Sequence, residues 1–172
     1  MFVLKLLQSM FKALHSEGTP GQVAAGLALG AILGLTPLMN LHNAVVFGLI
    51  IILNVSFGGA MLGWALFTPI GFLLDPVFDA IGHALLLDVA FLRPLWTTLF
   101  NVPVFPLTNF DNTVVLGSFV ASVALLVPIY LGARVGVSRY RDTIGAKLRA
   151  SKFYRAITAS KLFNIYRWFR PD

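Results

Sequence analysis

The sequence predicts an all-α, polytopic integral membrane protein with a re-entrant or broken helical hairpin and flanking interfacial amphipathic helices. Of its 172 residues, 58% are hydrophobic and 12% are charged, whereas a soluble domain carries about 25% charged residues. No Asp, Glu, Lys or Arg lies between Glu17 and Asp75, and a second run without these residues extends from Thr113 to Ala133. The length allows one compact membrane unit without a large soluble domain.

Residues 1–17 predict an amphipathic helix that lies in the membrane interface. Apolar residues recur at helical spacing on one face, and Lys5 and Lys12 lie on the other face. The alternative is a helix that packs on another subunit. Because the lysines interrupt the apolar residues, the segment is not typical of a secretory signal.

A membrane domain is predicted over residues 18–133, and its first helix is predicted over 20–35. Thr19 suits the N-cap, Pro20 suits the first helical position, and Gln22 completes a capping box.

Three glycines mark one face of this first helix. Gly26, Gly30 and Gly34 recur every four residues. In lipid, small residues allow a second helix to approach closely. We therefore predict a helix-packing interface at these glycines, either within the chain or with a partner.

The stretch GLTPLMNLHN interrupts the long apolar run. The 16 residues before Thr36 span about 24 Å as a helix, which is short for a hydrocarbon core of about 30 Å. Pro37 lacks a backbone donor and disfavours helical geometry at Thr36, so we expect a break there. A new helix, capped by Asn43, is predicted over 44–55.

Further helices are predicted over 57–74, 76–91 and 113–133. Thr68-Pro69 predicts a second interruption, and Asp75-Pro76 combines a capping residue with proline at a helix start. The stretch NVPVFPLTNFDN predicts an ordered loop. The run 113–133 is the strongest spanning signal in the chain.

The distribution of charge predicts the topology. Ten of the thirteen basic residues lie from Arg134 onward, so residues 134–172 are predicted to form a basic cytoplasmic amphipathic tail. The weakly basic N-terminus is placed on the same side, and the aspartate-rich segment 75–112 on the opposite side. An odd number of crossings must therefore precede Asp75. Either three short helices cross, or the first two form a re-entrant hairpin and the third crosses; the short first helix favours the hairpin.

The basic tail is expected to contact anionic lipid rather than nucleic acid, because it follows a spanning helix. The residues predicted to contact anionic headgroups are Arg139, Arg141, Lys147, Arg149, Lys152 and Arg155.

Three interpretations of the polar residues near the helix breaks stay open. They cap helix ends and satisfy freed carbonyls, or they bind an anionic headgroup at a helix N-terminus, or they form a transported-substrate site of the kind found at paired broken helices. The candidate headgroup- or substrate-binding residues are Thr36, Asn40, His42, Asn43, Thr68 and Asp75.

A second polar group, Asp75, Asp79 and His83, lies on one helix face at a spacing of four. Carboxylate and imidazole groups can bind metal or relay protons, but a solvated helix face is the simpler interpretation, and we predict no metal site. Asp88 is expected to lie too far around the helix to join them. The chain has no cysteine and no nucleophile–base or zinc motif, so neither an enzyme nor a cofactor is predicted.

The stretch GTPGQVAAGLALGAILGLTPLMNLHNAVVFGLIIILNVS resembles a family of bacterial membrane proteins, the domain of unknown function 2062. The resemblance covers about Gly18 to Leu92, and Thr68-Pro69 departs from the Asn-Pro usual in that family. The positions that match the family pattern are Gly18, Pro20, Gly26, Gly30, Pro37, His42 and Asn54.

The length and the basic tail are most similar to a subgroup often encoded beside a larger AsmA-like envelope protein. The resemblance implies a bacterial inner-membrane subunit, with both termini cytoplasmic, that seats such a partner and loads phospholipid into it. The alternatives are a small secondary transporter or channel-like protein with a site at the Thr-Pro breaks, and a purely structural scaffold. Its expected partners are membrane lipids and either a larger membrane-anchored periplasmic protein or further copies of itself.

Overall fold

The computed structural model describes residues 18–145, and the side chains of residues 18–143. Every regular element in that range is helical, which confirms the all-α prediction for this part of the chain. The predicted helix over 1–17 lies outside the described residues. The α-helices are α1 (Pro20–Leu35), α2 (Leu41–Ile52), α3 (Phe57–His83), α4 (Arg93–Phe100) and α5 (Thr113–Tyr140). Turns of π-helix over Ala84–Asp88 and Arg141–Gly145, and of 3₁₀-helix over Ala90–Leu92 and Phe105–Thr108, complete the described elements.

Local capping determines where α1 begins. The Gln22 backbone N–H donates to Thr19 Oγ1 at 3.3 Å, and the Thr19 N–H donates to Gln22 Oε1 at 2.7 Å. This reciprocal pair satisfies two of the N–H groups that a helix start leaves free. At the other end, the Thr36 backbone is extended and its N–H donates to the Ile32 carbonyl.

Helices α1 and α3 run parallel and in direct backbone contact. A Cβ on Gly26 would overlap the Ser56 carbonyl oxygen, one on Gly30 would overlap that of Ala60, and one on Gly34 would lie 2.8 Å from that of Trp64. Since the contact positions advance together along both helices, the helices point the same way. The glycine face is therefore occupied by α3 of the same chain.

Helix α5 is antiparallel to this pair and completes a three-helix bundle. A Cβ on Gly82 would overlap the Thr113 carbonyl oxygen, and one on Gly117 would overlap that of Phe78. At the far end, the Arg141 guanidinium donates to the Gly18 carbonyl at 2.8 Å. Helix α5 thus returns from the end of α3 to the start of α1.

Helix α2 lies outside the bundle and adds Val46 and Ile50 to its core. It begins at Leu41 rather than at Ala44, and its N-cap is Asn40, so the predicted helix over 44–55 was placed three residues too late. Asn43 is not a cap. Its backbone is already helical. Its side-chain amide instead hydrogen-bonds to Thr36 and Pro37 in the loop before the helix.

Helix α3 is continuous where two helices, over 57–74 and 76–91, were predicted. Pro69 and Pro76 both lie inside it. In an apolar helix, close neighbours and hydroxyl side chains compensate for a missing N–H. Here close packing of Gly71 against the end of α1 supports the helix after Pro69. The Thr68 hydroxyl, one residue before the proline, donates to the Trp64 carbonyl at 2.7 Å.

Helix α5 continues to Tyr140, past the predicted limit at Ala133, with Pro128 inside it. The change in charge at Arg134 therefore does not coincide with a helix end, since nothing there disrupts backbone hydrogen bonding. Of the predicted tail, residues 146–172 lie outside the described residues.

Two segments, Phe57–Asp88 and Thr113–Thr143, are long and apolar enough to cross a membrane by length and composition. Helices α1 and α2 are shorter, with 16 and 12 residues. In the most apolar 18 residues of each long segment, only 28% of the residues are buried inside the bundle. The outer surface of these helices is therefore largely apolar.

Candidate functional site

The loop between α1 and α2, residues 36–40, forms the tip of a helical hairpin. The Asn40 and Asn43 amides each donate to the Pro37 carbonyl at 2.6 Å. The Thr36 hydroxyl lies 2.8 Å from both the Ile32 carbonyl and Asn43 Oδ1. These bonds satisfy backbone groups that the break leaves without helical partners. Thr36, Asn40 and Asn43 therefore bond to carbonyls beside the break, as the first interpretation predicted, but the Asn40 side chain makes no cap bond to the start of α2.

A distant loop covers this tip. The Asn109 amide donates to Asn40 Oδ1 at 2.5 Å and to the Met39 carbonyl at 3.3 Å. Asn109 has a left-handed backbone (φ 54°), which asparagine tolerates better than most residues. Sequence reasoning identified the asparagine-rich loop but not this contact, because no local rule pairs residues about 70 positions apart.

An apolar groove and a polar cavity meet at the tip. The groove has a volume of about 510 Å³, and the polar cavity about 360 Å³. Met39 and Asn40 line both. The groove is lined by Leu33, Leu38, Met39, Asn40, Leu41, Asn43, Ala44, Phe47, Trp64 and Leu107. The polar cavity is lined by Pro37, Met39, Asn40, Asn109, Asp111, Asn112 and Val115.

A third cavity brings together three of the predicted site residues. Thr36, Thr68 and Asp75 all line this space of about 310 Å³. Leu33, Leu38 and Trp64 line both this cavity and the groove. Two helix breaks, at Thr36-Pro37 and Thr68-Pro69, were predicted for a transporter site. The Thr68-Pro69 step does not break α3, so of these two the structure has the break at Thr36-Pro37.

His42 lies apart from Asn40 and Asn43, because its side chain faces a different cavity. Its ring stacks on Phe110 at a centroid distance of 5.2 Å and contacts Phe119 at 4.9 Å. The residue is 7% exposed, and neither ring nitrogen makes a hydrogen bond of normal geometry to the described residues. The adjoining cavity has a volume of about 400 Å³.

The Asp75, Asp79 and His83 face is divided among separate contacts. The Thr113 hydroxyl donates to Asp79, and His83 Nδ1 lies 3.4 Å from Asp88 Oδ2. The expectation that Asp88 is too far around the helix was wrong, because the π-helical turn Ala84–Asp88 places residues five apart on one face. No three potential metal ligands cluster within the described part of the chain.

Two of the predicted lipid-contacting cations can be located. Arg139 is exposed, whereas the Arg141 guanidinium also bonds to the Gly18 carbonyl and so helps to join α5 to the start of α1. Lys147, Arg149, Lys152 and Arg155 lie outside the described residues.

Comparison with known proteins identifies relatives of the chain. The model of a family described as "Uncharacterized protein conserved in bacteria (DUF2062)" matches residues 5–143. A protein of Treponema pallidum (strain Nichols), called "Uncharacterized protein", is 29% identical over 153 residues, which cover 88% of this chain and 93% of the relative. No solved structure matches the chain.

Proposed function

The chain belongs to the DUF2062 family of bacterial proteins, and on that premise we propose that it is an inner-membrane subunit that handles phospholipid for a cell-envelope complex. In this role the hairpin tip receives a lipid molecule, and a larger membrane-anchored periplasmic partner accepts it. The proposal requires no catalysis and no cofactor.

The junction of the apolar groove and the polar cavity is the observation that carries this proposal. A phospholipid has an apolar tail and a polar head, and these two spaces meet at Met39 and Asn40. The groove volume of about 510 Å³ lies within the usual range of ligand pockets, roughly 300–1,000 Å³. An acyl chain in the groove would leave the headgroup beside the asparagines.

The polar cavity has groups suited to a zwitterionic headgroup. Each asparagine amide has two N–H groups, and Asn40 and Asn43 each use one of theirs on Pro37. Asn40 lines the polar cavity, and its second N–H makes no hydrogen bond within the described residues, so it can donate to a phosphate oxygen. Asp111 is exposed at the cavity wall, where its carboxylate suits an ammonium group.

Helix lengths support a re-entrant hairpin that enters from the cytoplasmic side. The 12 residues of α2 span about 18 Å, which is too short for a hydrocarbon core of about 30 Å. The parallel arrangement of α1 and α3 requires α2 to return to the side on which α1 began. The basic residues from Arg134 onward support the proposal that this side, with both termini, faces the cytoplasm.

A photoreactive phospholipid with a diazirine in its acyl chain tests lipid binding at the groove. After irradiation of the protein in nanodiscs, we expect cross-links concentrated on Phe47, Trp64 and Leu107. Ala44→Trp places a large side chain in the groove and should reduce these cross-links severalfold. Ile52→Trp is the matched control, because Ile52 is 80% exposed on the same helix and lines neither space. Cross-links spread evenly over the lipid-facing surface, and unchanged by Ala44→Trp, would contradict the proposal.

Affinity purification from native membranes in mild detergent tests the complex. A stoichiometric, larger membrane-anchored protein is expected to co-purify. Recovery of the chain alone or as a homo-oligomer would remove the envelope-complex part of the proposal and favour a transporter. Normal lipid transfer by the Ala44→Trp variant would favour a purely structural scaffold.

A further inference from the structure

We propose that the cavity lined by Thr36, Thr68 and Asp75 binds a primary ammonium group. The proposed function makes no use of this space of about 310 Å³, because its headgroup contacts lie at Asn40 and Asp111, so the inference does not rest on that function. The ammonium group can belong to a small free amine or to the headgroup of an aminophospholipid, and competition between these two sources identifies which one binds.

The Asp75 carboxylate stands at the wall of this cavity without a partner. Asp75 lies inside α3 and is partly buried, and among the described residues it is the one charged residue that lines the cavity. In residues 18–143, no group donates a hydrogen bond to the carboxylate and no cation pairs with it. An ionised group that loses hydration without gaining a partner is costly. A cationic ligand would supply the missing partner.

The carboxyl end of α1 adds a second negative group to the same place. The carbonyl oxygens of Gly34 and Leu35 lie 2.8 and 3.3 Å from the position of a Cβ added to Gly71 on α3. No N–H of the described residues donates to either carbonyl. The free carbonyls at a helix end carry a partial negative charge and point beyond that end. Because α1 and α3 are parallel, these carbonyls point toward the level of Asp75, which lies one helical turn past Gly71.

The groups at the polar side of the cavity are all hydrogen-bond acceptors. A helical side chain leans over the residue four positions before it, so the Asp75 carboxylate leans toward Gly71 and the carbonyls packed there. The Thr68 hydroxyl already donates its hydrogen to the Trp64 carbonyl, which leaves it only lone pairs. A primary ammonium group has three N–H donors and a positive charge, and it therefore complements both the acceptors and the negative charge.

The rest of the wall favours an organic ammonium ion over a metal ion. Thr68 and Asp75 are seven residues apart on α3, or about 10.5 Å, which is too far for both to enter the shell of six to eight oxygens that a hard metal ion such as Ca²⁺ takes. Apolar side chains line the remaining space, and these are Leu33, Leu35, Leu38, Trp64, Phe72 and Val114. A short carbon chain attached to the ammonium group would fill this space. Phe72 is 74% exposed, so the cavity opens on the outer surface.

Equilibrium binding of radiolabelled butylamine to the full chain in phosphatidylcholine nanodiscs tests the inference. Butylamine is protonated at neutral pH, butanol has the same chain without the charge, and butyltrimethylammonium keeps the charge without an N–H. We expect saturable binding that unlabelled butylamine displaces and that the other two compounds do not displace. Equally effective displacement by butanol, by butyltrimethylammonium or by sodium ions would overturn the inference.

Replacement of one carboxylate by an amide of nearly the same size locates the site. Asp75→Asn should weaken butylamine binding about ten- to hundredfold, the range that one charge-assisted hydrogen bond provides. Asp79→Asn is the matched control, because it removes the same charge one helical turn further along α3 at a residue that does not line the cavity. Undiminished binding by Asp75→Asn, or an equal loss in both variants, would contradict the proposed site.

Thermal unfolding separates a binding role of Asp75 from a structural one. Since the carboxylate has no partner to lose in the described residues, Asp75→Asn without ligand should unfold at the wild-type temperature or above it. Butylamine should raise the thermal midpoint of the wild type but not that of Asp75→Asn, because a ligand stabilises only a folded state that binds it. A variant that unfolds well below the wild type without ligand would indicate a structural role and overturn the inference.

Replacing half of the phosphatidylcholine by phosphatidylethanolamine identifies the source of the ammonium group. Weaker apparent binding of butylamine would show that the lipid headgroup occupies the cavity, and unchanged binding would show that the cavity takes a free amine; both results support an ammonium site. The phospholipid cross-links in the groove should be unchanged in Asp75→Asn, so failure of the ammonium site and failure of the proposed function are distinguishable.

Discussion

Replacing Gly30 by alanine tests whether the contact between α1 and α3 holds the bundle together. A Cβ at this position would overlap the Ala60 carbonyl oxygen and lie 2.7 Å from the Ala60 carbonyl carbon and 2.9 Å from its Cα. Carbon atoms in good contact are about 3.5–4.0 Å apart. Helix α1 would therefore have to move at least 3.5 − 2.7, or about 0.8 Å, away from α3. The obstacle is backbone, which cannot rotate aside as a side chain can.

The expected cost follows from comparison with a glycine that has free space. Overpacking in a dense core costs about 1–3 kcal/mol, while exchanging glycine for alanine inside a helix gains about 1 kcal/mol. Gly48, inside α2, has no atom within 4 Å of an added Cβ. Because Gly48→Ala shares the helix-propensity gain, the stability difference between the two variants isolates the overpacking cost, about 1–3 kcal/mol.

Unfolding in mixed detergent micelles, followed by tryptophan fluorescence, measures this difference. Gly30→Ala should unfold at a lower denaturing-detergent fraction than the wild type, and Gly48→Ala at the same fraction or a higher one. Gly30→Leu should prevent assembly of the bundle. If Gly30→Ala proves as stable as Gly48→Ala, then the glycine face is not a tight helix contact and the arrangement of α1 against α3 is wrong.

Three further predictions concern the loops and the topology. Asn43→Ala should lower the free energy of unfolding by about 1–3 kcal/mol, because it removes one buried and one partly buried hydrogen bond, whereas Asn54→Ala, at an exposed position, should stay within about 0.5 kcal/mol of the wild type; equal effects in the same detergent assay would refute the role of Asn43. Thr19→Ala should cost about 1 kcal/mol by loss of the N-cap, and Thr19→Ser should restore most of it; a serine variant as unstable as the alanine variant would exclude capping as the cause. Since the chain contains no cysteine, a membrane-impermeant maleimide should label Asp111→Cys in spheroplasts and Asn54→Cys only in inverted vesicles, and the reverse pattern would invert the proposed topology.

Features that depend on near neighbours could be predicted from the sequence. The start of α1 needs only Thr19, Pro20 and Gln22, and its end needs only the Thr36-Pro37 step, so local rules describe both. The four-residue spacing of glycines indicates a face for close packing, and α3 lies on that face.

Features that depend on contacts between distant segments could not be predicted in this way. A proline ends an isolated helix, but Pro69 lies in a helix that packs along α1 through Gly63 and Gly71, and that packing outweighs the lost hydrogen bond. The Asn40–Asn109 contact joins residues 69 positions apart. The position of His83 beside Asp88 results from one extra residue in a π-helical turn, which no apolar periodicity signals.

The same division explains why the apolar groove and the cavity beside His42 lie along α2. Helices α1, α3 and α5 pack backbone against backbone at their glycines, and such dense contacts leave no room for a ligand at the glycines themselves. Helix α2 has no such contact at its glycine, since Gly48 faces open space, and its buried aliphatic side chains are Val46 and Ile50. It is joined at its tip by amide hydrogen bonds instead. Local opening is easiest where few apolar contacts must be broken, so we propose that α2 is the element that moves aside to admit the proposed lipid while the three-helix bundle stays intact.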